Sequence, residues 1–276
     1  MTGSIYALNI NRSWSWPRFI VMALAVLFVD MGTTGFNSYF DFINGTDKAQ
    51  YNLERDKVLV HEGVSPTLAL IISVTLFGIA ALLGLLLAYW TTFWLIPIGG
   101  ASMVVGYLYT GGPYPISRTP FGELFAGGFL GSLLFSLSYY VQALSFKGSV
   151  IVVSLPLLLL IGEILMVNNS CDRVADKIAG RRTLAILLGE RKSIIASRLI
   201  LLAVFLVQLF LPLIGLTPIL ALPFTIGGAL LALPIWRKME KQGFSLATKG
   251  ISMSGISQIC LIHCLCFGVA LLISYF

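Results

Sequence analysis

The segment Ser65–Trp90 constrains this chain most, because it runs without a single charged side chain. About 20 apolar residues in a helix are enough to cross the hydrocarbon core of a bilayer. The whole chain is 57% hydrophobic and 11% charged, whereas soluble domains carry about 25% charged residues. This composition excludes an ordinary soluble globular domain. It indicates an integral membrane protein whose surroundings are the lipid bilayer.

Eight apolar segments have the length of membrane-spanning helices. Lipid cannot satisfy backbone polar groups, so a span must be a helix or a strand of a closed barrel, and barrel strands are only about 9–11 residues long. We therefore predict an all-α, polytopic transmembrane helical bundle that forms a single domain over residues 1–276. The predicted spans are 17–38, 66–89, 92–110, 121–144, 149–167, 194–214, 217–236 and 254–275.

Basic residues are concentrated in alternate loops between these spans. Of the 18 lysine and arginine residues, 15 lie in the loops after the first, third, fifth and seventh spans or just inside the next helix; the exceptions are Arg12, Arg18 and Lys147. The positive-inside rule places such loops in the cytoplasm. The net charge of +6 is therefore a property of the loops. Without a soluble basic face, nucleic acid is not expected as a partner.

Four of the six aspartates lie in two groups at the predicted cytoplasmic ends of spans. In each group an asparagine precedes an aspartate by four residues, so on a helix these side chains share one face. A carboxylate in the hydrocarbon costs about 2.5–3.5 kcal/mol on insertion scales, which makes such residues functional candidates. The groups are Asn37, Asp41 and Asp47, and Asn168, Asp172 and Asp176.

Side-chain chemistry indicates what these groups bind. Oxygen-only ligands suit Mg²⁺, which often binds through substrate phosphates, and neither group offers the His or paired Cys that zinc prefers. Lys and Arg bind phosphate oxygens; those interleaved here are Lys48, Lys57, Arg173, Lys177, Arg181 and Arg182. A diphosphate that is bridged by Mg²⁺ fits both the acidic groups and the basic residues. The alternative, an acidic ion path through a transporter, predicts acids deep in the spans, where only Asp30 and Glu163 lie.

The two motifs resemble those of the UbiA superfamily of intramembrane prenyltransferases, which carries N-x-x-x-D after one helix and D-x-x-x-D later. The segments NSYFDFINGTD at 37–47, YTGGPYP at 109–115 and GRRTL at 180–184 are most similar to the 1,4-dihydroxy-2-naphthoate polyprenyltransferases of menaquinone biosynthesis. The resemblance implies the UbiA-type fold, which usually has nine helices. Residues 1–16 would then correspond to the end of a truncated first helix and the loop after it.

The resemblance also implies an activity and a location. A prenyl group would pass from a polyprenyl diphosphate to an aromatic acceptor, with Mg²⁺ as cofactor. With 1,4-dihydroxy-2-naphthoate, carbon dioxide leaves and demethylmenaquinone forms; 4-hydroxybenzoate and homogentisate are the alternative acceptors. The implied location is the plasma membrane of a bacterium, with the active-site loops in the cytoplasm.

The implied catalytic residues are Asp41, Asp172 and Asp176, and the implied metal ligands add Asn37 and Asp47. Tyr107 and Tyr109 would shield a carbocation, and Arg118 would bind the acceptor carboxylate. Cys171 stands where this branch usually has an arginine, which removes one cation from the expected diphosphate site. The full set of implied substrate-binding residues is Asn37, Lys48, Lys57, Tyr107, Tyr109, Arg118, Asn168, Arg173, Lys177 and Arg181.

Overall fold

The computed structural model describes residues 1–45, 58–61 and 63–276. Within these ranges the regular elements are helices and helical turns, and no strand occurs, which confirms the all-α prediction. The helices are α1 (Thr2–Asn11), α2 (Trp16–Ile43), α3 (Val58–His61), α4 (Pro66–Trp90), α5 (Leu95–Leu108), α6 (Gly122–Ala143), α7 (Ser149–Ile178), α8 (Leu184–Leu213), α9 (Ala221–Gln242) and α10 (Lys249–Ile273).

Six helices of the described chain are long and apolar enough to cross a membrane: α2, α4, α6, α7, α8 and the segment Leu246–Ile273 that contains α10. The other two predicted spans differ. Helix α5 has 14 residues, which at 1.5 Å per residue is about 21 Å, shorter than the hydrocarbon core. Helix α9 reaches Gln242, six residues beyond the prediction, and its last turns carry the charged residues Arg237, Lys238, Glu240 and Lys241.

One compact unit consists of residues 1–15, 120–174 and 183–276. In it α1 packs against α6 and α10, and α9 packs against α8 and α10. Its apolar core has two parts. One surrounds Trp236 and Phe205, and the other surrounds Tyr139 and Phe267.

The other compact unit consists of residues 16–119 and 175–182. In it α2 packs along α4, and α5 contacts both helices. The close approach of α2 and α4 depends on glycine, because a Cβ on Gly32 would lie 2.5 Å from the Phe77 ring and one on Gly35 would lie 2.1 Å from Ser73 Oγ. The Phe36 and Phe77 rings meet edge to face, with centroids 4.9 Å apart. The unit therefore carries the first acidic motif on a closely packed helix.

Candidate active site

Arg181 joins the two acidic motifs within the second of these units. Its guanidinium donates to Asp41 Oδ1 over 2.7 Å and lies 3.3 Å from Asp176 Oδ1. Asp41 comes from α2, whereas Asp176 lies in the last turn of α7. The three side chains are 12%, 17% and 6% exposed for Arg181, Asp41 and Asp176 respectively. The structure thus brings one aspartate from each predicted motif to a single cation.

The turn after α7 explains why Arg181 returns to Asp176. Gly180 has φ 76°, a left-handed conformation that glycine adopts without the steric cost of a Cβ. Its N–H donates to Lys177 O, and Arg181 N–H donates to Asp176 O over 2.9 Å. These two bonds form a Schellman motif, which satisfies the last carbonyls of the helix. The glycine of the G-R-R-T-L segment therefore folds the arginine back beside the second aspartate motif.

Asn37 is held by the segment that follows α5. The Thr110 hydroxyl donates to Asn37 Oδ1, and Thr110 is buried. The next residue, Gly111, lies so close to α2 that a Cβ there would come 2.7 Å from the Phe40 ring, and Gly112 has φ 79°. The paired glycines of Y-T-G-G-P-Y-P therefore allow this turn to pack against the first motif.

Tyr107 belongs to an aromatic cluster on the same side of α2. Its ring meets Phe36 and Phe40 edge to face, with centroid distances of 5.4 and 5.5 Å. The side chain is 38% exposed, so one part of the ring packs while another part remains accessible. Tyr109 ends α5, and its carbonyl accepts from Ser117 N–H. An aromatic surface therefore lies beside Asn37 on the same helix.

Asp172 and Arg173 belong to the first compact unit, and their ion-pair partners lie in that same unit. Lys249 Nζ lies 2.8 Å from Asp172 Oδ2, with side chains that are 14% and 18% exposed. Arg173 pairs with Glu190 over 2.9 Å, and that glutamate is 66% exposed. Asp172 precedes Asp176 by four residues on α7, as the motif predicted.

The remaining predicted residues are placed as follows. Asp47, Lys48 and Lys57 lie outside the described residues. The carbonyl of Arg118 accepts from Arg182 N–H over 2.9 Å, so its backbone holds the G-R-R-T-L segment. Lys177 is exposed, whereas Asn168 is partly buried.

Sequence reasoning missed several polar residues near the motifs. The sequence does not distinguish Lys249 from the many other basic residues near helix ends, so its pairing with Asp172 could not be predicted. Thr110 belongs to the Y-T-G-G-P-Y-P segment, but its contact with Asn37 depends on the tertiary fold. Asn169, the second asparagine of the pair that opens the D-x-x-x-D motif, donates to the buried Glu123 over 2.9 Å.

Mg²⁺ fits the donor set around Arg181. Asp41 and Asp176 contact Arg181 through oxygen ligands of the kind that Mg²⁺ prefers, and Asn37, one helical turn before Asp41, offers a further amide oxygen. In the described part of the chain no three His, Cys, Asp or Glu side chains group together as metal ligands. Mg²⁺ does not require such a cage, because it is usually bound by one or two carboxylates, waters and substrate phosphates.

The chain is similar to members of one known protein family. The family model for the UbiA prenyltransferase family matches residues 1–248. A 1,4-dihydroxy-2-naphthoate octaprenyltransferase of Bacillus subtilis is 39% identical over 176 residues, which are 64% of this chain and 56% of that protein. The UbiA prenyltransferase domain-containing protein 1 of Danio rerio is 31% identical over 247 residues, which cover 87% of this chain and 69% of that protein. The chain thus spans little more than half the length of its Bacillus relative.

Solved structures share the fold. An apo UbiA homologue from Aeropyrum pernix superposes with a TM-score of 0.73 at 17% identity, covering 100% of this chain and 96% of the other. A UbiA homologue from Archaeoglobus fulgidus bound to GPP and Mg²⁺ gives 0.66 at 13% identity, covering 95% and 94%. At this identity the likeness concerns the fold alone. Together with the family match over residues 1–248, it shows that the chain is an all-helical integral membrane protein of the UbiA prenyltransferase family.

Proposed function

We propose that this protein transfers a prenyl group from a polyprenyl diphosphate to an aromatic acceptor, with Mg²⁺ as cofactor. The observation that carries the proposal is the contact of Arg181 with both Asp41 and Asp176. Two carboxylates from separate motifs and a planar cation are the groups that a metal-bound diphosphate needs, because the acids bind the metal and the guanidinium donates to phosphate oxygens.

Each residue has a role in this proposal. Asn37, Asp41 and Asp176 would hold Mg²⁺, as would Asp172 and, outside the described residues, Asp47. Bound Mg²⁺ would supply positive charge that offsets the charge developing on the departing diphosphate. Thr110 fixes the orientation of the Asn37 amide through its hydroxyl.

Arg181 would exchange its contacts with the carboxylates for phosphate oxygens. Lys48, Lys57, Arg173 and Lys177 are the further cations that we assign to diphosphate binding. The face of an aromatic ring attracts positive charge, so Tyr107 and Tyr109 would stabilise the carbon that loses the diphosphate. Asn168 completes the set as a polar residue that precedes Asp172 by four positions.

The acceptor that we propose is 1,4-dihydroxy-2-naphthoate. The allylic C–O bond breaks and diphosphate departs, a C–C bond forms to the electron-rich ring, and the ring carboxyl leaves as carbon dioxide, so that the product is the reduced quinol form of demethylmenaquinone. Arg118 would bind the acceptor carboxylate. The support comes from the Bacillus relative, which bears that name at 39% identity, and from the Y-T-G-G-P-Y-P and G-R-R-T-L segments. We place the protein in a bacterial plasma membrane with these loops in the cytoplasm.

The test is prenyl transfer by membranes that contain this protein, with a panel of acceptors that includes 1,4-dihydroxy-2-naphthoate, 4-hydroxybenzoate and homogentisate. Asp41→Asn and Asp176→Asn should each lower kcat/KM by about a hundredfold or more, because each removes charge stabilisation in the transition state. Asp30→Asn, the same change earlier on α2, should leave activity near that of the unaltered protein. Full activity in both motif variants would refute the site, and transfer to another acceptor alone would correct the substrate.

A further inference from the structure

We propose that Lys249 is a diphosphate-binding residue, contributed by the last helix, and that it makes binding of the diphosphate depend on occupation of Asp172 by the metal. This inference rests on the proposed function. Neither acidic motif contains Lys249, which follows Asp172 by 77 positions in the chain.

The first argument is burial. Lys249 Nζ lies 2.8 Å from Asp172 Oδ2, and the Lys249 side chain is only 14% exposed. Lysine is rarely so buried unless it is paired. The ammonium therefore lies directly on a carboxylate that the D-x-x-x-D motif assigns to metal binding.

The second argument is the position of Lys249 on its helix. It is the first residue of α10, a helix of 25 residues, and a cation at a helix N-terminus opposes the helix dipole. The preceding Thr248 does not cap this helix through its side chain, because its hydroxyl donates to Gly243 O over 2.7 Å. The 3-10 turn Leu246–Thr248 leads into α10, and the N–H of Lys249 donates to Leu246 O, so the lysine charge lies at a helix start that does not favour it. Such conflicts with local preference are expected at functional sites.

The third argument concerns Cys171, which stands where an arginine was expected. Cys171 is buried in the apolar core of its unit and immediately precedes Asp172, the aspartate that pairs with Lys249. Arg173, the nearest basic residue in sequence, pairs with the exposed Glu190. The cation that reaches the environment of position 171 is therefore Lys249, supplied by another helix.

Charge accounts for the proposed coupling. Asp172 and Lys249 neutralise one another in the ion pair. When Asp172 binds Mg²⁺, the ammonium shares this carboxylate with the metal and lies close to additional positive charge. A diphosphate restores neutrality, because its oxygens accept from the ammonium as well as from the metal. Metal and diphosphate should therefore bind cooperatively, and Lys249 should be responsible for part of that cooperativity.

The experiment titrates a prenyl thiolodiphosphate, which does not react, into the detergent-solubilised protein with and without Mg²⁺, followed by calorimetry. Lys249→Gln keeps a hydrogen-bond donor but removes the charge. We expect it to weaken analogue binding in Mg²⁺ by about tenfold or more, since hydrogen bonds to charged groups contribute at this level. The same variant should bind Mg²⁺ alone more tightly, because the metal no longer competes with an ammonium. Lys249→Arg should restore most of the analogue binding.

Lys241→Gln, which removes an exposed lysine at the end of α9, is the matched control and should bind as the unaltered protein does. Analogue binding by Lys249→Gln equal to that of the control would overturn the inference. A loss of analogue binding and of Mg²⁺ binding together, with no rescue by arginine, would also overturn it and assign Lys249 a structural role. If the unaltered protein binds no analogue in Mg²⁺, the proposed function itself fails.

Discussion

Arg181 is the cation that lies between two carboxylates from different helices, Asp41 of α2 and Asp176 of α7. Two carboxylates near each other repel unless positive charge lies between them, and the guanidinium contacts both Asp41 and Asp176. Arg181 lies after the end of α7, and the turn at Gly180 brings it to this position. Arg181 is therefore both a candidate phosphate ligand and the group that neutralises these two carboxylates.

Arg181→Gln should consequently lower the free energy of unfolding in EDTA by about 1.5–3 kcal/mol, the usual contribution of hydrogen bonds to charged groups. Mg²⁺ should recover more stability in this variant than in the unaltered protein, since it replaces the missing charge. Thermal unfolding in detergent, with and without Mg²⁺, measures both effects.

Arg198→Gln is the control for this prediction. Arg198 also pairs with an acid, Glu240, but its side chain is 60% exposed, and exposed pairs contribute little. Equal stability of Arg181→Gln and Arg198→Gln in EDTA would contradict the role given to Arg181.

The acidic motifs could be predicted at the level of single residues because their spacing matches one helical turn. Asp41 and Asp176 both contact Arg181, one of the predicted phosphate-binding residues. The partner of Asp172 could not be predicted, because Lys249 is brought to it by the packing of helices that are far apart in sequence. The hydrogen bond from Thr110 to Asn37 could not be predicted either, since hydropathy and spacing carry no information on tertiary contacts.

At the scale of elements, hydropathy located the helices but not all their ends. The prediction for 66–89 agrees with α4, which begins at Pro66, where the missing N–H of proline is tolerated. The prediction for 194–214 started late, because α8 begins at Leu184 and is interrupted at Gly189, with φ 73°. The charged residues Glu190, Arg191 and Lys192 follow this kink and interrupt the apolar sequence. Hydropathy therefore predicted only the longer segment after them.

Glycine also determines how closely α6 approaches α7. A Cβ on Gly127 would lie 2.2 Å from Leu158 O, and one on Gly131 would lie 2.7 Å from Leu157 O. Small residues of this kind allow membrane helices to pack backbone to backbone. The π-helical turn Gly127–Leu133 lies in this contact, close in sequence to Glu123, which accepts from Asn169 of the second motif.

Gly127→Ala should therefore destabilise the protein by about 1–3 kcal/mol, the usual range for overpacking, and lower the yield of monodisperse protein in detergent. Gly128→Ala is the matched control, because a Cβ there meets nothing within 4 Å. Thermal stability measured by size-exclusion chromatography after heating compares the two. If both variants are equally stable, the close contact of α6 and α7 is not what limits packing.

At the scale of the whole molecule, charge and hydropathy divide the chain between membrane and water. Large apolar side chains remain exposed along the helices, for example Leu82, Leu206 and Leu230, as expected for surfaces that face lipid. The basic residues are concentrated in alternate loops, and Asp41 and Asp176 lie in the last turns of the helices that precede two of these loops. In the proposed function, the apolar tail of the prenyl diphosphate would stay in the membrane while its charged end would meet the basic residues of these loops.

The charge distribution makes a prediction about orientation that does not depend on activity. A cysteine at Gln242, at the exposed end of α9 near Lys238 and Lys241, should face the cytoplasm. A cysteine at Gly148, beside the lone Lys147 between α6 and α7, should face the opposite side. In intact bacteria a membrane-impermeant maleimide should label Gly148→Cys, whereas Gln242→Cys should react only after the membrane is opened. The unaltered chain controls for the native thiols, of which Cys171 is buried and the other three are partly buried. The reverse labelling pattern would place the candidate site outside the cell, where the proposed cytoplasmic diphosphate site could not operate.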